Sequence, residues 1–387
     1  MEESQKEFLV FGAPLIGEEE IAEVVATLKS GWIGTGPRVA AFEKAFGDYK
    51  GTTYAVAVNS CTAALHLSLL ASGIGPGDEV ITTPLTFCAT VNAIIHAGAA
   101  PVLADVDPLT QNIDPNEIER KITSKTRAIL PVHFAGRPCD MDAIMAIARR
   151  HDLLVIEDCA HAIETEYHGQ KAGTFGDFGC FSFYVTKNLF TGEGGMILTK
   201  NQEYADRLKR LALHGMSQDA WKRFTDDGYR HYQVMESGFK YNMMDLQAAL
   251  ALPQMKKLED YWQQRLEIWN RYQEALSSLP AALPAPFESN TRHALHLYTL
   301  LIHEKRCGLT RDRFLTAMTK QGIGVGVHYL SLPEHLFYQK SLGWTPEMFP
   351  NAMRIGQQTV SLPLSPKLTD FQVQQVVDAV IQTINCG

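Results

Sequence analysis

The feature that most constrains this chain is a regular alternation of short apolar runs and helical patterns between residues 54 and 199. Four apolar runs are each followed by a helical pattern and a fifth closes the series: YAVAV, EVITT, PVLADV, RAILPVHF and LLVIED. Strands that alternate with helices form a mostly parallel sheet that is buried on both faces. Ligands of such sheets bind at the carboxyl ends of the strands. The sequence therefore predicts an α/β fold with a binding site at those strand ends.

A second region with a different pattern follows. An amphipathic helical pattern runs from Asp245 to Leu279, and Pro253 is expected to break it. The proline-rich stretch PAALPAPFESN reads as a linker, and shorter strand and helix patterns come after it. We expect a large α/β domain over residues 1–250, N-terminal segment included, and the long helix with a small α+β domain over residues 251–387.

Composition excludes several classes of function. The 387 residues carry a formal net charge of −8 and show no lysine/arginine tract, which argues against nucleic-acid binding. No apolar run approaches the roughly 18 residues of a membrane span, and the start MEESQKEFLVFG lacks the layout of a signal peptide. The seven cysteines are scattered and never spaced as CxxC, which favours reduced thiols over disulfides or a zinc site. We expect a cytoplasmic protein without a metal.

The stretch VNSCTAALHL, residues 58–67, joins a predicted strand to a predicted helix. Asn59, Ser60 and Thr62 place small polar groups at the helix start, where the first N–H groups have no partner within the helix. Such a helix start can bind a phosphate group. Capping of the helix alone is the alternative explanation.

The stretch LLVIEDCAHA ends a buried strand in two carboxylates, Glu157 and Asp158. Because side chains alternate along a strand, only one of the two needs to face a site. A buried carboxylate is costly unless it meets a positive partner, such as a protonated pyridine nitrogen. A structural ion pair is the alternative.

The stretch FSFYVTKNLFTGEGG places Lys187 between a strand-like run and a tight glycine loop. That setting suits an amine that forms a Schiff base, although a surface lysine in a loop would look the same. Phe87 follows another strand, where its ring could cover a flat ligand. A phosphate cradle, a stacking aromatic ring, a carboxylate and a lysine are together the four needs of pyridoxal 5'-phosphate.

At this point the chain resembles the DegT/DnrJ/StrS family of sugar aminotransferases over nearly its whole length. The ordered matches are SGWIGTGPRVAAFE, AVAVNSCTAALHLSLLASGIGPGDEVITTPLTFCAT, VIEDCAHA, FSFYVTKNLFTGEGGM, GFKYNMMDLQAAL and VGVHYLSL. The resemblance implies fold type I of the pyridoxal-phosphate enzymes, which is the aspartate aminotransferase-like fold, and a homodimer with shared active sites.

The resemblance also implies roles for individual residues. Lys187 would carry the Schiff base, Asp158 would hold the pyridine nitrogen, and His161 would hold the ring hydroxyl. Phe87 would stack on the ring. The remaining candidates are phosphate ligands, namely the backbone of Cys61, together with Thr62 and Ser182, and Lys240 or Asn242 from the partner subunit.

Three comparisons with the family pattern bear on these roles. Many members carry GxN where this chain has GFK, so either Lys240 or Asn242 would reach the partner's phosphate. The position of Cys61 is often glycine or another small residue, and a backbone contact survives that change. Members that act as sugar dehydratases have histidine in place of the lysine, so the presence of Lys187 favours transamination.

The expected reaction moves an amino group, from L-glutamate as the expected donor, to a nucleotide-linked ketosugar, with Thr35 and His328 as candidate sugar contacts. GFKYNMMDLQAALALPQMKKLE is similar to the members that aminate the 4-keto pentose of UDP-L-arabinose, a group that usually has tryptophan at the position of Phe87. Two alternatives are a pyridoxal-phosphate lyase or desulfurase that acts on amino acids, and a regulatory protein that binds the cofactor without turnover.

Overall fold

The computed structural model describes residues 8–217 and 232–386. The first seven residues, which form part of the segment that argued against a signal peptide, lie outside the described residues. The described strands are β1 (Tyr54–Val58), β2 (Glu79–Thr82), β3 (Ala100–Leu103), β4 (Thr126–Leu130), β5 (Leu154–Asp158), β6 (Glu166–Tyr167), β7 (Gln170–Lys171), β8 (Phe178–Ser182), β9 (Gly195–Thr199), β10 (Thr291–Arg292), β11 (Tyr298–Leu301) and β12 (Thr359–Leu362).

Seven of these strands form one sheet in the order β1-β9-β8-β5-β4-β2-β3. Strand β9 runs antiparallel to both of its neighbours, and the other pairs in the sheet are parallel. The expected α/β fold with a mostly parallel sheet is therefore confirmed. Strands β1, β5 and β8 end on the same side of the sheet, which is the side where β9 begins.

The described α-helices are α1 (Glu18–Ser30), α2 (Pro37–Lys50), α3 (Cys61–Ala71), α4 (Cys88–His96), α5 (Pro115–Lys121), α6 (Met141–His151), α7 (Gln202–Ala212), α8 (Asp245–Met255), α9 (Leu258–Ala275), α10 (Glu304–Cys307), α11 (Arg311–Lys320), α12 (Leu336–Leu342), α13 (Pro350–Gln358) and α14 (Asp370–Asn385). None of the helices in the described part of the chain is both long and apolar enough to cross a membrane.

The large sheet is covered by helices on both faces. Consecutive residues along a strand point to opposite faces, so Ile156 packs with α3 and α7 while Val155 packs with α5 and α6. Helices α2 and α8 form a further apolar layer against Phe181 and Met196 of β8 and β9. Burial on both faces explains why the strands read as continuous apolar runs rather than as alternating ones.

The C-terminal part has its own apolar core. The antiparallel pair β11–β12 packs against α9, α11 and α14, around buried residues such as Tyr272, Tyr298 and Phe314. The predicted division at residue 250 falls inside α8, and the division into two domains stays a prediction.

The expected helix break at Pro253 is wrong by a few residues. Pro253 lies within the last turn of α8, which continues to Met255, and α9 begins at Leu258. Proline lacks a backbone N–H and clashes with the carbonyl four residues earlier, but few hydrogen bonds remain to be lost so near a helix end. The break therefore follows the proline instead of coinciding with it.

Candidate active site

A cavity of about 520 Å³ lies at the carboxyl ends of the parallel strands. Eight of the eleven residues that the sequence nominated line it: Cys61, Thr62, Phe87, Asp158, His161, Ser182, Lys187 and His328. They come from both the N-terminal and the C-terminal parts of the chain. The volume lies within the usual range for sites that bind small molecules.

The start of α3 forms one wall of this cavity. Ser60 caps the helix, since its Oγ accepts the Ala63 N–H at 3.1 Å and its carbonyl accepts the Ala64 N–H at 3.0 Å. The first four N–H groups of a helix have no intrahelical acceptor, and no acceptor is described in residues 8–217 or 232–386 for those of Cys61 and Thr62. Capping and anion binding thus coexist here, because the cap uses two amides and leaves two that can bind a phosphate.

Gly195 allows strand β9 to begin directly against this helix start. A Cβ atom at Gly195 would lie 2.5 Å from the carbonyl carbon of Ser60 and 2.8 Å from the nitrogen of Cys61. Any larger residue at this position would push the start of α3 away from the sheet. The glycine pair that ends the predicted loop therefore has a structural cause, which is the close approach of two backbones.

The two adjacent carboxylates serve different purposes. Asp158 lines the cavity, where its Oδ2 accepts from Thr90 Oγ1 at 2.9 Å and its Oδ1 accepts from the Ala160 N–H at 3.1 Å. Burial raises the pKa of Asp158, and these two hydrogen bonds and the charge of Lys187 only partly oppose that effect. A buried carboxylate with a raised pKa is suited to receive a cationic ligand group.

Glu157 is fully buried and does not line the cavity. It accepts from the backbone N–H groups of Gly173, Phe175 and Gly176 at 2.7 to 2.9 Å, and from His133 Nε2 at 3.1 Å. His133 Nδ1 in turn accepts the Cys139 N–H, so Nε2 carries the proton. With Cys159 these side chains are close enough to hold a metal ion, but the ring nitrogens and carboxylate oxygens already have protein partners. The structural-pair explanation therefore applies to Glu157.

Lys187 faces the same cavity as Asp158. Burial lowers the pKa of its amine to about 8, while Cys61 and Asp158 act in the opposite direction. A sizeable fraction of this amine is neutral near physiological pH, as nucleophilic attack on a carbonyl requires. A solvated surface lysine would not behave in this way.

Aromatic and imidazole rings cover another side of the cavity. Phe87 is 58% exposed, precedes α4, and lies with its ring centroid 5.9 Å from that of Tyr329. His161 is buried and its Nε2 lies 3.0 Å from the Tyr329 hydroxyl. His328 contacts Ser361 Oγ through Nδ1 at 2.8 Å, and burial lowers its pKa to about 4, with a further contribution from the charge of Lys187.

The other three nominated residues lie outside this cavity. Thr35 Oγ1 donates to the Met243 carbonyl at 2.5 Å and accepts from Asn242 Nδ2 at 2.6 Å, so Thr35 and Asn242 belong to one unit. Lys240 is exposed, and its carbonyl accepts from Asn59 Nδ2 at 3.4 Å. Thr35, Lys240 and Asn242 therefore do not line the cavity that the other eight residues share.

Sequence reasoning missed several residues that line the cavity, among them Thr90, Glu193 and Tyr329. Thr90 lies one helical turn after Phe87, and Tyr329 directly follows His328. For Thr90 and Tyr329, proximity to a nominated residue was the available signal, and Glu193 had no such neighbour. Thr90 donates to Asp158, and the Tyr329 hydroxyl contacts His161. Both of these partners are more than sixty residues away in the chain, and no local pattern reveals such pairings.

Comparisons with known proteins identify the class of this protein. Residues 14–381 match the model of the DegT/DnrJ/EryC1/StrS aminotransferase family. The spore coat polysaccharide biosynthesis protein SpsC of Bacillus subtilis (strain 168) is 50% identical over 381 residues, which cover 98% of each chain.

Two of the solved structures that resemble this one illustrate a likeness over nearly the whole chain. Spr1654 of Streptococcus pneumoniae, a candidate sugar aminotransferase solved in its PLP-form, has a TM-score of 0.91 and 32% identity, and the match covers 98% of this chain and 99% of that one. PseC of Helicobacter pylori, an aminotransferase involved in pseudoaminic acid biosynthesis, has a TM-score of 0.91 and 28% identity, with 99% and 100% covered. These likenesses confirm fold type I, the aminotransferase class and pyridoxal phosphate as the cofactor. The chain belongs to the DegT/DnrJ/EryC1/StrS aminotransferase family.

Proposed function

We propose that this enzyme transfers the amino group of L-glutamate to the 4-keto carbon of a nucleotide-linked sugar. The observation that carries the proposal is the placement of Lys187, Asp158 and the start of α3 around one cavity, which suits the aldehyde, ring nitrogen and phosphate of pyridoxal phosphate. The name of SpsC supports a role in polysaccharide biosynthesis, and we propose that the aminated sugar enters a polysaccharide or lipopolysaccharide.

The residues of the cavity divide the binding of the cofactor among them. The N–H groups of Cys61 and Thr62, with the Thr62 and Ser182 hydroxyls, would hold the phosphate, and Phe87 would cover the ring. Asp158 would keep the ring nitrogen protonated, because a buried carboxylate favours a cation beside it. The bound cofactor supplies an aldehyde that takes up amino groups and a ring that accepts electrons.

Lys187 would move the protons of the reaction. Its amine would take the proton from the α-carbon of the donor. For the sugar, it would deliver a proton to the former keto carbon. Both steps need an amine that changes its protonation easily near neutral pH, and the pKa of about 8 provides that.

Two segments are proposed to contact the sugar nucleotide. His328 lines the cavity and keeps a neutral ring, so its free Nε2 is available to a sugar hydroxyl. Thr35 is held with Asn242 outside the cavity of its own chain, and we assign it to the cavity of the partner subunit.

We propose a cytoplasmic homodimer in which each site uses both chains. Helix α1 exposes Ile21, Val25 and Leu28 at helical spacing, and such an apolar stripe is typical of a surface that is covered in an assembly. In that dimer Lys240 or Asn242 would reach the partner's phosphate. The cysteines are unpaired in the described structure, which fits a reducing compartment.

One experiment separates this function from its alternatives. The purified protein with pyridoxal phosphate is incubated with glutamate, and the release of 2-oxoglutarate is measured. The aminated protein is then offered a panel of nucleotide-linked 3-keto and 4-keto sugars, and the products are identified by mass spectrometry. Amination of a 4-keto sugar is expected. If a parallel incubation with cysteine releases sulfide and no sugar is aminated, the result would favour a desulfurase. A protein from which glutamate yields no 2-oxoglutarate would favour a regulatory role.

A further inference from the structure

Asn188, the residue after Lys187, contacts the rest of the molecule through its whole side-chain amide. Its Nδ2 donates to Glu164 Oε2 and to the Ala294 carbonyl, both at 2.9 Å. A carboxylate and a carbonyl can only accept, so these two contacts fix the orientation of the amide and leave Oδ1 as the acceptor of a third contact. That contact is with His296 Nδ1 at 3.0 Å. Both polar atoms of the Asn188 side chain therefore have protein partners.

The partners of Asn188 are themselves fixed in place. Glu164 is fully buried and accepts from Arg265 Nη2 at 2.5 Å, and Arg265 is 1% exposed. A buried ion pair tolerates little movement, because either charge would be costly without the other. Burial holds the pKa of His296 well below its usual value, so its ring is neutral, and its single proton lies on Nδ1 toward the Asn188 oxygen. The amide of Asn188 therefore lies in rigid surroundings.

The loop that carries Lys187 has few other attachments through hydrogen bonds. It begins after Phe183 and ends at Thr191, whose N–H donates to the Phe183 carbonyl at 2.8 Å. Between these two residues the described part of the chain shows one backbone-to-backbone hydrogen bond, from the Lys187 N–H to the Tyr184 carbonyl at 2.9 Å. That bond is internal to the loop. Hydrogen bonds that attach the loop to the rest of the protein must come from side chains, and those of Asn188 are the nearest in sequence to Lys187.

We propose that Asn188 is a positioning residue that holds the backbone of Lys187 where its amine can reach the aldehyde of the cofactor and the carbon atoms of the substrates. The inference rests on the role of Lys187 given under Proposed function. Asn188 does not line the cavity, so it acts through Lys187. An amine on a long flexible side chain needs a fixed backbone, because a displacement of about 1 Å can slow a reaction by about 100-fold.

The first test uses the protein without cofactor and the rate at which Lys187 captures pyridoxal phosphate. Stopped-flow absorbance gives this rate as a function of pH. In Asn188→Ala the plateau rate at high pH should fall about tenfold, because fewer encounters bring the amine to the aldehyde. The midpoint of the pH profile should stay at about 8, since burial, Cys61 and Asp158 determine the pKa of Lys187 and all three are unchanged.

Asn112→Ala is the matched control. Asn112 Nδ2 donates to the Arg137 and Pro138 carbonyls at 3.2 and 2.8 Å, and its Oδ1 accepts the Phe134 N–H at 3.0 Å. Each of the two variants leaves one N–H and two oxygens without their partner, so both should lower the melting temperature of the cofactor-free protein. Asn112 does not line the cavity, and the capture rate of its variant should equal that of wild type.

A second comparison tests whether Asn188 acts through Lys187. In a Lys187→Ala background, the addition of Asn188→Ala should leave the noncovalent affinity for pyridoxal phosphate unchanged, since no lysine remains to be positioned. In the loaded enzyme, deuterium on the α-carbon of glutamate slows the proton transfer that Lys187 carries out. A displaced amine makes this transfer limit the rate more fully, so the isotope effect should rise in Asn188→Ala and stay at the wild-type value in Asn112→Ala.

Asn188→Ser is the second variant, for use if Asn188→Ala does not fold. A serine hydroxyl fills part of the space but is too short to reach all three partners, so capture should again slow. A wild-type capture rate in either folded variant, or an equal slowing in Asn112→Ala, would overturn the inference alone. A weaker noncovalent affinity in the Lys187→Ala background would overturn the positioning role, because Asn188 would then shape the cavity itself. A wild-type protein that captures the cofactor on another lysine, or not at all, would overturn the proposed function as well.

Discussion

Replacement of Asp158 by asparagine should separate the binding of the cofactor from the stability of the fold. Asp158 is buried in the cavity wall, with two hydrogen-bond donors and a raised pKa. An asparagine of the same shape can still accept from the Ala160 N–H, and its amide can donate to the Thr90 hydroxyl. The substitution therefore removes the charge and little else.

The expected loss in cofactor binding follows from the charge. Two opposite charges about 4 Å apart interact by roughly 4 kcal/mol at the effective dielectric constant of protein sites, and desolvation offsets part of this. A net loss of about 3 kcal/mol corresponds to roughly 100-fold weaker binding of pyridoxal phosphate. Most of the transfer rate should also be lost, because an unprotonated ring accepts electrons poorly.

In the protein without cofactor, Asp158→Asn should not lower the stability of the fold, in contrast to its effect on cofactor binding. Because the pKa of Asp158 is raised by folding, the folded protein binds more protons than the unfolded chain in the window above the usual carboxyl pKa of 3.8. The free energy of unfolding therefore falls as the pH rises through that window, and the ionised side chain costs stability at neutral pH. Asp158→Asn removes that cost, so the cofactor-free variant should unfold at the same temperature as wild type or higher.

Glu157→Gln provides the contrast one residue away. Each oxygen of Glu157 accepts two hydrogen bonds, so an amide nitrogen on either side would face two donors. Each orphaned buried donor costs about 1–3 kcal/mol, so the two donors together should lower the stability of this variant by roughly 2–6 kcal/mol. The folded fraction should bind the cofactor normally.

The assay combines thermal unfolding without cofactor, equilibrium titration with pyridoxal phosphate, and the rate of amino transfer from glutamate. The reasoning fails if Asp158→Asn binds the cofactor and turns over as wild type does. It also fails if Glu157→Gln weakens cofactor binding as strongly as Asp158→Asn at unchanged stability. Either result would contradict the roles assigned to Asp158 and Glu157.

Two further predictions concern Lys187 and the assembly. The rate at which the cofactor-free protein captures pyridoxal phosphate should rise about tenfold per pH unit below pH 8 and level off above it, since only the neutral amine adds to an aldehyde. Stopped-flow absorbance measures this rate. An inflection near pH 10 would instead indicate a solvated lysine. Lys187→Ala and the double variant Lys240→Ala/Asn242→Ala should each be impaired, yet mixed dimers of the two should regain about half the wild-type activity, because one of their two sites is intact. Purified mixed dimers that stay inactive would contradict a site shared between subunits.

The sequence was sufficient for the sheet and for the position of the site. Strands buried on both faces read as uninterrupted apolar runs, and ligands of parallel sheets bind where the strands end. Lys187, Asp158 and the start of α3 could therefore be assigned to one place before their distances were known. The family resemblance added roles that the spacing alone left undecided.

Other features depend on contacts between distant parts of the chain. Alternation along β5 allowed either Glu157 or Asp158 to face the site, and only the position of His133 and its neighbours decides between them. Tyr329 meets His161 across 168 positions of sequence, which no local pattern encodes. The contact of Gly195 with the start of α3 is likewise a property of the packed backbone.

The central claim is that Lys187 binds the cofactor covalently in an aminotransferase site. The most direct measurement is reduction of the cofactor-loaded protein with borohydride, followed by digestion and mass spectrometry of the labelled peptide. We predict a yellow protein whose reduced cofactor is found on the peptide that contains Lys187, with labelling lost when glutamate is added before the reduction. Reduced cofactor on a different lysine, or labelling that glutamate does not prevent, would contradict the account.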